Sequence, residues 1–332
     1  MKSIREEISG KRILVTGATG LIGKALIKAL LECEAVVYAV VRDRQKALAL
    51  WGDRVTLIES DVTEMLPENR KIDYVIHGAA ITSSRMFVEQ PAEVIHTNIL
   101  GTVRMLEFAR ANPVKAFVFL STMEVYGNPD QEGMIDEKSG CCLDTMAARS
   151  SYPESKRMCE NLCAAYCAQF RVPVKAVRLA QTFGEGADYQ DPRVFAEFAR
   201  CVIENRDIIL RTAGETKRCY LSVNDAVRAI LLVMIRGEIS EAYNAANEET
   251  YCSIREMAEM VCRDCAGDRI RIRYDLPDNP DAYGYAPVMK MKLSSEKLRR
   301  LGWEPQDALK EIYQELIRDM RNRTLDGEGE QD

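Results

Sequence analysis

Residues 12–23 have the sequence Arg12-Ile13-Leu14-Val15-Thr16-Gly17-Ala18-Thr19-Gly20-Leu21-Ile22-Gly23. An apolar run leads here into a T-G-x-x-G-x-x-G turn, and residues 24–31 continue with a helical pattern. Glycines at such a turn let the backbone bend tightly and approach a phosphate group. The free N–H groups and the positive dipole end of the following helix attract negative charge. We therefore expect a strand, a turn and a helix that bind the pyrophosphate of NAD or NADP; an ordinary glycine-containing turn is the alternative.

A second apolar run, residues 35–41, follows at the distance expected of a β-α-β unit and ends in Arg42-Asp43-Arg44. The ribose of the cofactor should meet this strand end. A carboxylate there favours NAD because it accepts from the ribose hydroxyls, whereas a guanidinium favours NADP because it pairs with a 2′-phosphate. Val41 stands near the usual acid position, so Arg42 favours NADP. NAD is not excluded, since Arg42 and Arg44 are alternatively solvated surface charges and Asp43 could serve the ribose.

The composition excludes several classes of protein. With 332 residues, of which 47% are hydrophobic, the chain can bury a large core. It contains no run of about 18 apolar residues, and residues 1–7 lack the apolar core of a signal peptide, so we expect a cytoplasmic protein without a membrane partner. The net charge of -6 without a basic tract argues against nucleic acid as a partner.

Cysteine usage is that of a reducing compartment. Eleven cysteines, an odd number without a framework of spacings, indicate reduced thiols. The motif Cys262-x-x-Cys265 lacks the second pair or nearby histidine that a zinc site needs, so no metal is expected.

Strand-like and helical runs alternate along the first part of the chain. This alternation predicts an α/β fold with a doubly wound parallel sheet, the Rossmann architecture. Further predicted strands are residues 55–58, 74–77, 116–120 and 174–179, and predicted helices include residues 98–110 and 154–170.

The alternation of strand-like and helical runs becomes less regular after residue 180, where Gly, Pro and charged residues increase, as in Pro277-Asp278-Asn279-Pro280. We expect residues 1–180 to form the dinucleotide-binding domain, to which parts of residues 215–245 return. Residues 181–320 should form most of a smaller substrate-binding lobe. The polar residues 321–332 are expected to be a disordered tail.

The candidate catalytic residues follow two of the predicted strands. Thr122 comes just after strand 116–120, while Tyr152 and Lys156 are four residues apart on a predicted helix and so share a face. A phenol with a pKa of about 10 is a poor base at neutral pH, but a nearby ammonium lowers that pKa. Tyr152 could then exchange a hydroxyl proton, with Thr122 sharing it, while hydride moves between carbon and a nicotinamide. The alternative is a surface tyrosine beside a lysine.

Over nearly its whole length the chain resembles the extended short-chain dehydrogenase/reductase superfamily, in its NAD-dependent epimerase/dehydratase branch, which acts on nucleotide sugars. The resemblance implies that Thr122, Tyr152 and Lys156 form the catalytic triad, and that Arg218 binds the nucleotide diphosphate. Helices 98–110 and 154–170 resemble a pair that forms a dimer interface, which implies a homodimer. The cofactor-binding residues expected from the motifs and the resemblance are Gly17, Thr19, Gly20, Leu21, Ile22, Gly23, Arg42, Asp61, Val62, Ala79, Ala80, Tyr152 and Lys156.

Some of these residues have structural alternatives. Asp61 could be a turn residue, Ala79 and Ala80 could only pack a strand, and Arg218 could be a surface charge. Likewise, apolar faces on the two helices would look similar if they packed only within the chain.

Within the branch, residues 121–127, Ser-Thr-Met-Glu-Val-Tyr-Gly, are similar to the motif of nucleotide-glucuronate decarboxylases and nucleotide-glucose 4,6-dehydratases. Both keep a glutamate where Glu124 stands, so Glu124 is a candidate second base and substrate contact. Residues 149–157 and 217–220 resemble the decarboxylase motifs. Met123 departs from both patterns. The dehydratases use an aspartic acid there as general acid and the decarboxylases usually have a serine, whereas a thioether neither donates nor accepts a strong hydrogen bond. Dehydration by the usual route is therefore not expected, and decarboxylation needs less from this position.

The sequence therefore predicts an enzyme that modifies a nucleotide-linked sugar through hydride transfer and a 4-keto intermediate, as an epimerase or a decarboxylase. Arg42 keeps a second hypothesis open, an NADPH-dependent ketoreductase of a nucleotide-linked sugar or small carbonyl compound. A third is a non-catalytic protein that senses NADP(H), against which the intact Thr122, Tyr152 and Lys156 argue.

Overall fold

The computed structural model describes residues 2–66, 70–129, 133–276 and 288–325, and its largest element is a seven-stranded sheet. All neighbouring strands in this sheet run parallel. In spatial order the strands are β11 (Ala242–Ala245), β7 (Val174–Leu179), β5 (Ala116–Thr122), β4 (Tyr74–His77), β1 (Arg12–Thr16), β2 (Val36–Val41) and β3 (Thr56–Glu59). The predicted doubly wound α/β fold is confirmed.

Helices cover both faces of the sheet because the strands are apolar on both sides. The helices are α1 (Lys2–Ile8), α2 (Leu21–Glu32), α3 (Arg44–Trp51), α4 (Met86–Glu89), α5 (Pro91–Ala111), α6 (Ser151–Phe170), α7 (Val194–Ile203), α8 (Val223–Arg236), α9 (Ile254–Met260), α10 (Glu296–Arg299) and α11 (Leu309–Leu325). One core contains Leu26 of α2 and Ile230 of α8. The core on the other side contains Met105 of α5 and Cys163 of α6.

Element bounds differ from the predicted ones where local signals are weak. Strand β5 continues two residues past Leu120, since Ser121 and Thr122 pair with β7. Helix α5 begins at Pro91, seven residues before Asn98, with the proline at its first turn, where its missing N–H costs nothing.

Two smaller sheets and a third core follow the large sheet. The five-stranded sheet contains β12 (Asn247–Ser253), β10 (Lys217–Ser222), β14 (Lys290–Leu293), β6 (Met134–Ile135) and β8 (Gln181–Phe183), the last of which pairs with β10. The remaining strands β9 (Ile208–Leu210) and β13 (Ile272–Tyr274) pair with each other. The rings of Phe183, Phe195 and Tyr313 meet in this third core, and Phe183 joins it at the end of β8.

The C-terminal boundary differs from the predicted one. Helix α11 runs to Leu325, so residues 321–325 are helical rather than part of a tail. Apolar residues of this helix, among them Leu316 and Met320, are buried in the third core, and their packing outweighs the polar composition of the last turn. Residues 326–332 and the segment Pro277–Pro280 lie outside the described residues.

Across the described ranges, no helix is long and apolar enough to cross a membrane. Nor does any group of three or more His, Cys, Asp or Glu side chains there have the arrangement of a metal site. The eleven cysteines are free thiols. Cys262 and Cys265 lie on a π-helical turn that ends α9, and their thiols face surroundings that raise both pKa values through burial.

Candidate active site

The candidate site is a cleft of about 450 Å³ at the carboxyl ends of β1, β4 and β5. The strand order reverses between β1 and β4, because the chain adds β2 and β3 on one side and continues on the other. A crevice opens at such a reversal in parallel α/β sheets and is their usual ligand site. Residues that follow β7 in the chain, including Gln181 and Arg193, close the other side of the cleft.

The glycine turn after β1 is built for close approach to a ligand. Gly17 has φ 72°, and a Cβ there would lie 2.6 Å from the Gly78 carbonyl carbon. A Cβ on Gly23 would overlap the Gly17 carbonyl oxygen, so Gly23 permits the helix to pack on the turn. A Cβ on Gly20 would meet only the Gly17 oxygen at 3.3 Å, which leaves its remaining side open.

Helix α2 starts directly at this turn. Its N-cap residue is Gly20, which has no side chain to bond the first N–H groups. These donors and the positive end of the helix face the cleft, as pyrophosphate binding requires. The turn therefore fits the pyrophosphate of a dinucleotide such as NAD. The predicted cofactor residues that line the cleft are Gly17, Thr19, Gly20, Leu21, Ile22, Gly23, Arg42, Asp61, Val62, Ala79, Ala80, Tyr152 and Lys156.

Asp61 lines the cleft and is also a turn residue. Its Oδ1 atom accepts hydrogen bonds from the Thr63 backbone N–H at 2.9 Å and the Thr63 hydroxyl at 2.7 Å. These two bonds hold the pKa of the Asp61 carboxyl below its ordinary value. Asp61 is thus a fixed anion at the end of the cleft that Ser60 and Val62 also line.

The end of β2 presents a cation and no free carboxylate. Arg42 lines the cleft, is exposed and has no ion-pair partner within the described segments. Asp43 instead caps α3, since its side chain accepts from the Lys46 N–H at 2.9 Å. The acid that could have bound the ribose is therefore engaged in a helix cap.

Tyr152 and Lys156 lie on the first turns of α6, and both face the cleft. They are 7% and 4% exposed. The Lys156 ammonium donates to the Leu120 carbonyl at 2.8 Å, at the end of β5. Desolvation lowers the pKa of Lys156 to about 8, which places an easily neutralised cation beneath the cleft.

Burial raises the pKa of the Tyr152 phenol well above its ordinary value. Glu124 raises it further, whereas a hydrogen bond with Thr122 and the charges of Arg149 and Arg193 lower it. Lys156 lies one turn further along α6, and the expectation that its charge lowers the Tyr152 pKa stays a prediction. In the protein alone the phenol is therefore a proton donor, and an additional positive charge in the cleft is needed to make it a base.

The short 3₁₀ turn Met123–Tyr126 follows Thr122 and carries the second candidate base. The Thr122 hydroxyl caps this turn by accepting from the Glu124 N–H at 3.3 Å. The Glu124 carboxylate lies in the cleft wall and forms an ion pair of 3.0 Å with Arg149. Met123 also lines the cleft and is 3% exposed, so a thioether occupies the position where a general acid would stand.

Arg218 is the one predicted site residue that does not line the cleft. It lies on β10, and its Nη1 atom is 3.5 Å from the Oε1 atom of Gln181, which does line the cleft. The Arg218 Nε atom is buried without a hydrogen-bond partner in the described part of the chain. The sequence could not predict that Arg218 lies behind Gln181, since this position depends on how β10 pairs with β8.

A buried polar chain connects the glycine turn to the catalytic helix. Thr16 Oγ1 accepts from the Ala79 N–H and lies 2.7 Å from His77 Nδ1, while His77 Nε2 lies 3.2 Å from Thr102 Oγ1. Because Thr102 donates to the Asn98 carbonyl, the imidazole is the neutral Nε2–H tautomer. Complete burial lowers the His77 pKa to about 3.

Asn98 of α5 links this chain of hydrogen bonds to α6. Its Nδ2 atom donates to the Ser155 hydroxyl at 2.9 Å, and Ser155 donates to the Tyr152 carbonyl at 2.8 Å. Buried hydrogen bonds to α5 thus fix the orientation of α6, the helix that carries Tyr152. Helix α5 also contacts His77 through Thr102.

The sequence did not predict several residues of the cleft wall. Phe87 of α4 and Arg193 at the start of α7 line the cleft, as do Gln181 and Thr182 of β8. Arg193 pairs with Asp191 at 2.5 Å. These residues reach the cleft through tertiary packing of α4, β8 and the start of α7, for which the sequence carries no local signal.

Comparisons with known proteins agree with this geometry. The model of the NAD-dependent epimerase/dehydratase family matches residues 13–246. UDP-glucuronic acid decarboxylase 6 of Arabidopsis thaliana is 30% identical over 323 residues, which cover 95% of this chain and 90% of the relative. UDP-glucuronic acid decarboxylase 1 of Xenopus tropicalis is 28% identical over 313 residues, covering 92% of this chain and 71% of the relative.

Solved structures show the same fold. UDP-glucose 4-epimerase of Thermotoga maritima, determined with UDP-glucose, has a TM-score of 0.82 at 24% identity and covers 94% of this chain and 99% of its own. A dTDP-glucose 4,6-dehydratase of Streptomyces venezuelae with NAD bound has a TM-score of 0.79 at 22% identity, covering 95% and 98%. The family model spans the glycine turn, the Tyr152 helix and β10, so the chain belongs to the NAD-dependent epimerase/dehydratase family of enzymes.

Proposed function

We propose that this enzyme decarboxylates a nucleotide-linked uronic acid after oxidising the C4 hydroxyl of the sugar. The observation that carries the proposal is Glu124 in the same cleft as Tyr152, next to a buried Met123. It is supported by the relatives named UDP-glucuronic acid decarboxylase, which align over nearly the whole chain. NAD, when bound in the cleft, supplies the hydride acceptor for the alcohol.

The roles of the catalytic residues follow from their positions. Tyr152 accepts the C4 hydroxyl proton during oxidation and returns it during reduction. Thr122 shares a hydrogen bond with the phenol and orients the same hydroxyl. Lys156, held by the Leu120 carbonyl, keeps a positive charge beneath the cleft floor. Arg218, whose Nη1 atom lies 3.5 Å from the cleft residue Gln181, binds the nucleotide diphosphate at the edge of the cleft.

The chemistry of the next step distinguishes decarboxylation from dehydration. Once C4 is a ketone, the carboxylate on C5 is β to a carbonyl, so CO₂ leaves and its bonding electrons pass into an enolate. The enolate then takes a proton from water at C5, and Glu124 orients that water. Loss of a C6 hydroxyl would require a general acid, and Met123 has no proton to donate.

The test is incubation with UDP-glucuronic acid and NAD. We expect release of one CO₂ per UDP-linked pentose formed, without net NADH, since the hydride returns to C4. Tyr152→Phe should abolish turnover while the protein still binds UDP-glucuronic acid. Interconversion of UDP-glucose and its C4 epimer without CO₂ release from UDP-glucuronic acid would instead assign an epimerase.

Arg42 supports a second candidate function, an NADPH-dependent reduction of a keto sugar or small carbonyl compound. Arg42 lines the cleft at the ribose end, is exposed, and the neighbouring Asp43 is engaged in a helix cap. A 2′-phosphate would complement the guanidinium. The experiment is identification by mass of the dinucleotide released on denaturation. Retained NAD favours the decarboxylase, whereas an empty site that prefers NADPH favours the reductase.

We also propose that the enzyme is a homodimer. Helices α5 and α6 pack against each other, and each carries an exposed apolar side chain, Ile95 at 40% and Met158 at 49% exposure. Light scattering after size exclusion should give twice the mass of 37.5 kDa, and Met158→Glu should reduce it to the monomer mass.

A further inference from the structure

The guanidinium of Arg149 contacts two residues of the cleft wall without lining the cleft itself. Its Nη2 atom lies 3.0 Å from Glu124 Oε2, and its Cζ atom lies 4.8 Å from the centroid of the Phe87 ring. Both Glu124 and Phe87 line the cleft. Arg149 belongs to the 3₁₀ turn Ala148–Ser150 that leads directly into α6.

The Phe87 ring that Arg149 contacts also packs against the Tyr152 ring. The two rings are stacked, with centroids 4.3 Å apart and planes 8° from parallel. Both side chains are buried, and the Ser151 hydroxyl donates to the Phe87 carbonyl at 3.2 Å, which ties α4 to α6. A guanidinium near an aromatic face adds electrostatic attraction to such packing.

The charges around Tyr152 come from several elements. Glu124 faces it from the turn after β5, Arg149 from the turn before α6 and Arg193 from the start of α7. Lys156 lies one turn along its own helix. Arg149 pairs with the carboxylate of this group, so it offsets the anion that opposes ionisation of the phenol.

An exposed ion pair alone would be worth little, and the Arg149 side chain is 40% exposed. The simultaneous contact with Phe87 distinguishes it. We propose that Arg149 is a positioning residue, which sets the direction of the Glu124 carboxylate and, through Phe87, the plane of the Tyr152 ring. The effect on turnover rests on the proposed function, whereas the effect on ring geometry does not.

The first test needs no substrate. Tyrosine labelled with ¹³C in the ring is incorporated into the full-length protein, and the Tyr152 signal is assigned by its absence in Tyr152→Phe. In Arg149→Met we expect this signal to lose part of its ring-current shift from Phe87, and the pKa of Tyr152 to rise. Adding Glu124→Gln to Arg149→Met should bring the pKa back towards that of the parent.

The control is Arg85→Met. Arg85 directly precedes α4, the helix that Arg149 contacts through Phe87. The Arg85 guanidinium, however, is exposed and pairs with Glu89 at 2.8 Å. We expect it to leave the Tyr152 signal unchanged. Arg149→Lys keeps the charge but loses the planar fork, so it should recover the pKa more fully than the ring-current shift.

The second test follows NADH at 340 nm during a single turnover of UDP-glucuronic acid. Arg149→Met should slow the appearance of NADH by about 10- to 100-fold, because a small displacement of the base is costly, without a matching rise in KM. The pH at which the rate reaches half its maximum should move to higher values. Arg149→Lys should restore part of the rate, and Arg85→Met should match the parent.

The outcomes separate the two hypotheses. If the parent does not process UDP-glucuronic acid, the proposed function is wrong, and the NMR result alone then tests the positioning role of Arg149. An unchanged Tyr152 signal in Arg149→Met, or equal changes in Arg149→Met and Arg85→Met, would overturn the positioning role. Reduced thermal stability of Arg149→Met with an unchanged signal and pH profile would assign Arg149 a structural role only, which also overturns it.

Discussion

Replacing Lys156 by Met should make the protein more stable while removing its activity. The Lys156 ammonium is 4% exposed, and burial lowers its pKa from 10.5 to about 8. A shift of this size corresponds to about 3 kcal/mol of unfavourable free energy when the group is charged. Methionine has a similar shape and no charge, so it removes this cost.

The gain is partly offset by a lost hydrogen bond. The ammonium donates to the Leu120 carbonyl, and a bond from a charged donor is worth about 1.5–3 kcal/mol. We therefore expect Lys156→Met to raise the free energy of unfolding at pH 7 by up to about 1.5 kcal/mol.

The pH dependence is the sharper part of this prediction. Below pH 8 the lysine is charged in both the folded and the unfolded state, and the parent bears the full cost. Between about pH 8 and 10.5 the unfolded state binds more protons than the folded state, so the stability of the parent rises with pH. The advantage of Lys156→Met should shrink across this interval and change sign within it, at the pH where the remaining charge cost equals the free energy of the lost hydrogen bond.

The assay is urea unfolding of nucleotide-free protein at several pH values from 6 to about 10.5. Lys175→Met is the matched control, since Lys175 is also buried, donates to the Met234 carbonyl at 2.7 Å and has a pKa lowered by desolvation. It lies outside the cleft, so stability should rise while turnover persists. A stability difference between Lys156→Met and the parent that does not change with pH would show that the buried ammonium does not carry this cost.

Three further predictions concern the same cleft. Gly23→Ala should destabilise the protein and abolish NAD binding, because its Cβ overlaps the Gly17 carbonyl, whereas Gly20→Ala should fold normally and lose affinity only; calorimetry with NAD compares them. Tyr152→Phe should retain NAD but show no NADH during a single turnover, and a normal burst would contradict the assigned role. His77, with a pKa of about 3, should show NMR signals that do not move between pH 5 and 8, and titration in that range would contradict its burial.

The fold could be predicted from sequence because its signals are local and repeated. Each parallel strand is a short apolar run, and β4 and β7 have the predicted bounds. The glycines of the turn act through their own backbone, so Gly17, Gly20 and Gly23 could be placed in the cleft before any contact was known. The spacing of Tyr152 and Lys156 on one helix also required no tertiary information.

The remaining features depend on contacts between segments that are distant in sequence. Phe87 stacks on Tyr152 across 65 positions of the chain, and no local pattern marks that pair. Arg218 lies behind Gln181 because β8 pairs with β10. The pKa of the Tyr152 phenol also depends on such contacts, since burial and Glu124 raise it while Arg149 and Arg193 lower it.

In the proposed reaction, the hydride removed from C4 returns to the same sugar carbon. We would incubate the enzyme and NAD with UDP-glucuronic acid that carries deuterium at C4, and examine the product by mass spectrometry and NMR. We expect a UDP-linked pentose that retains deuterium at C4, release of CO₂, and no net change in absorbance at 340 nm. A product without deuterium, or a reduced product formed with stoichiometric consumption of added NADPH, would contradict it.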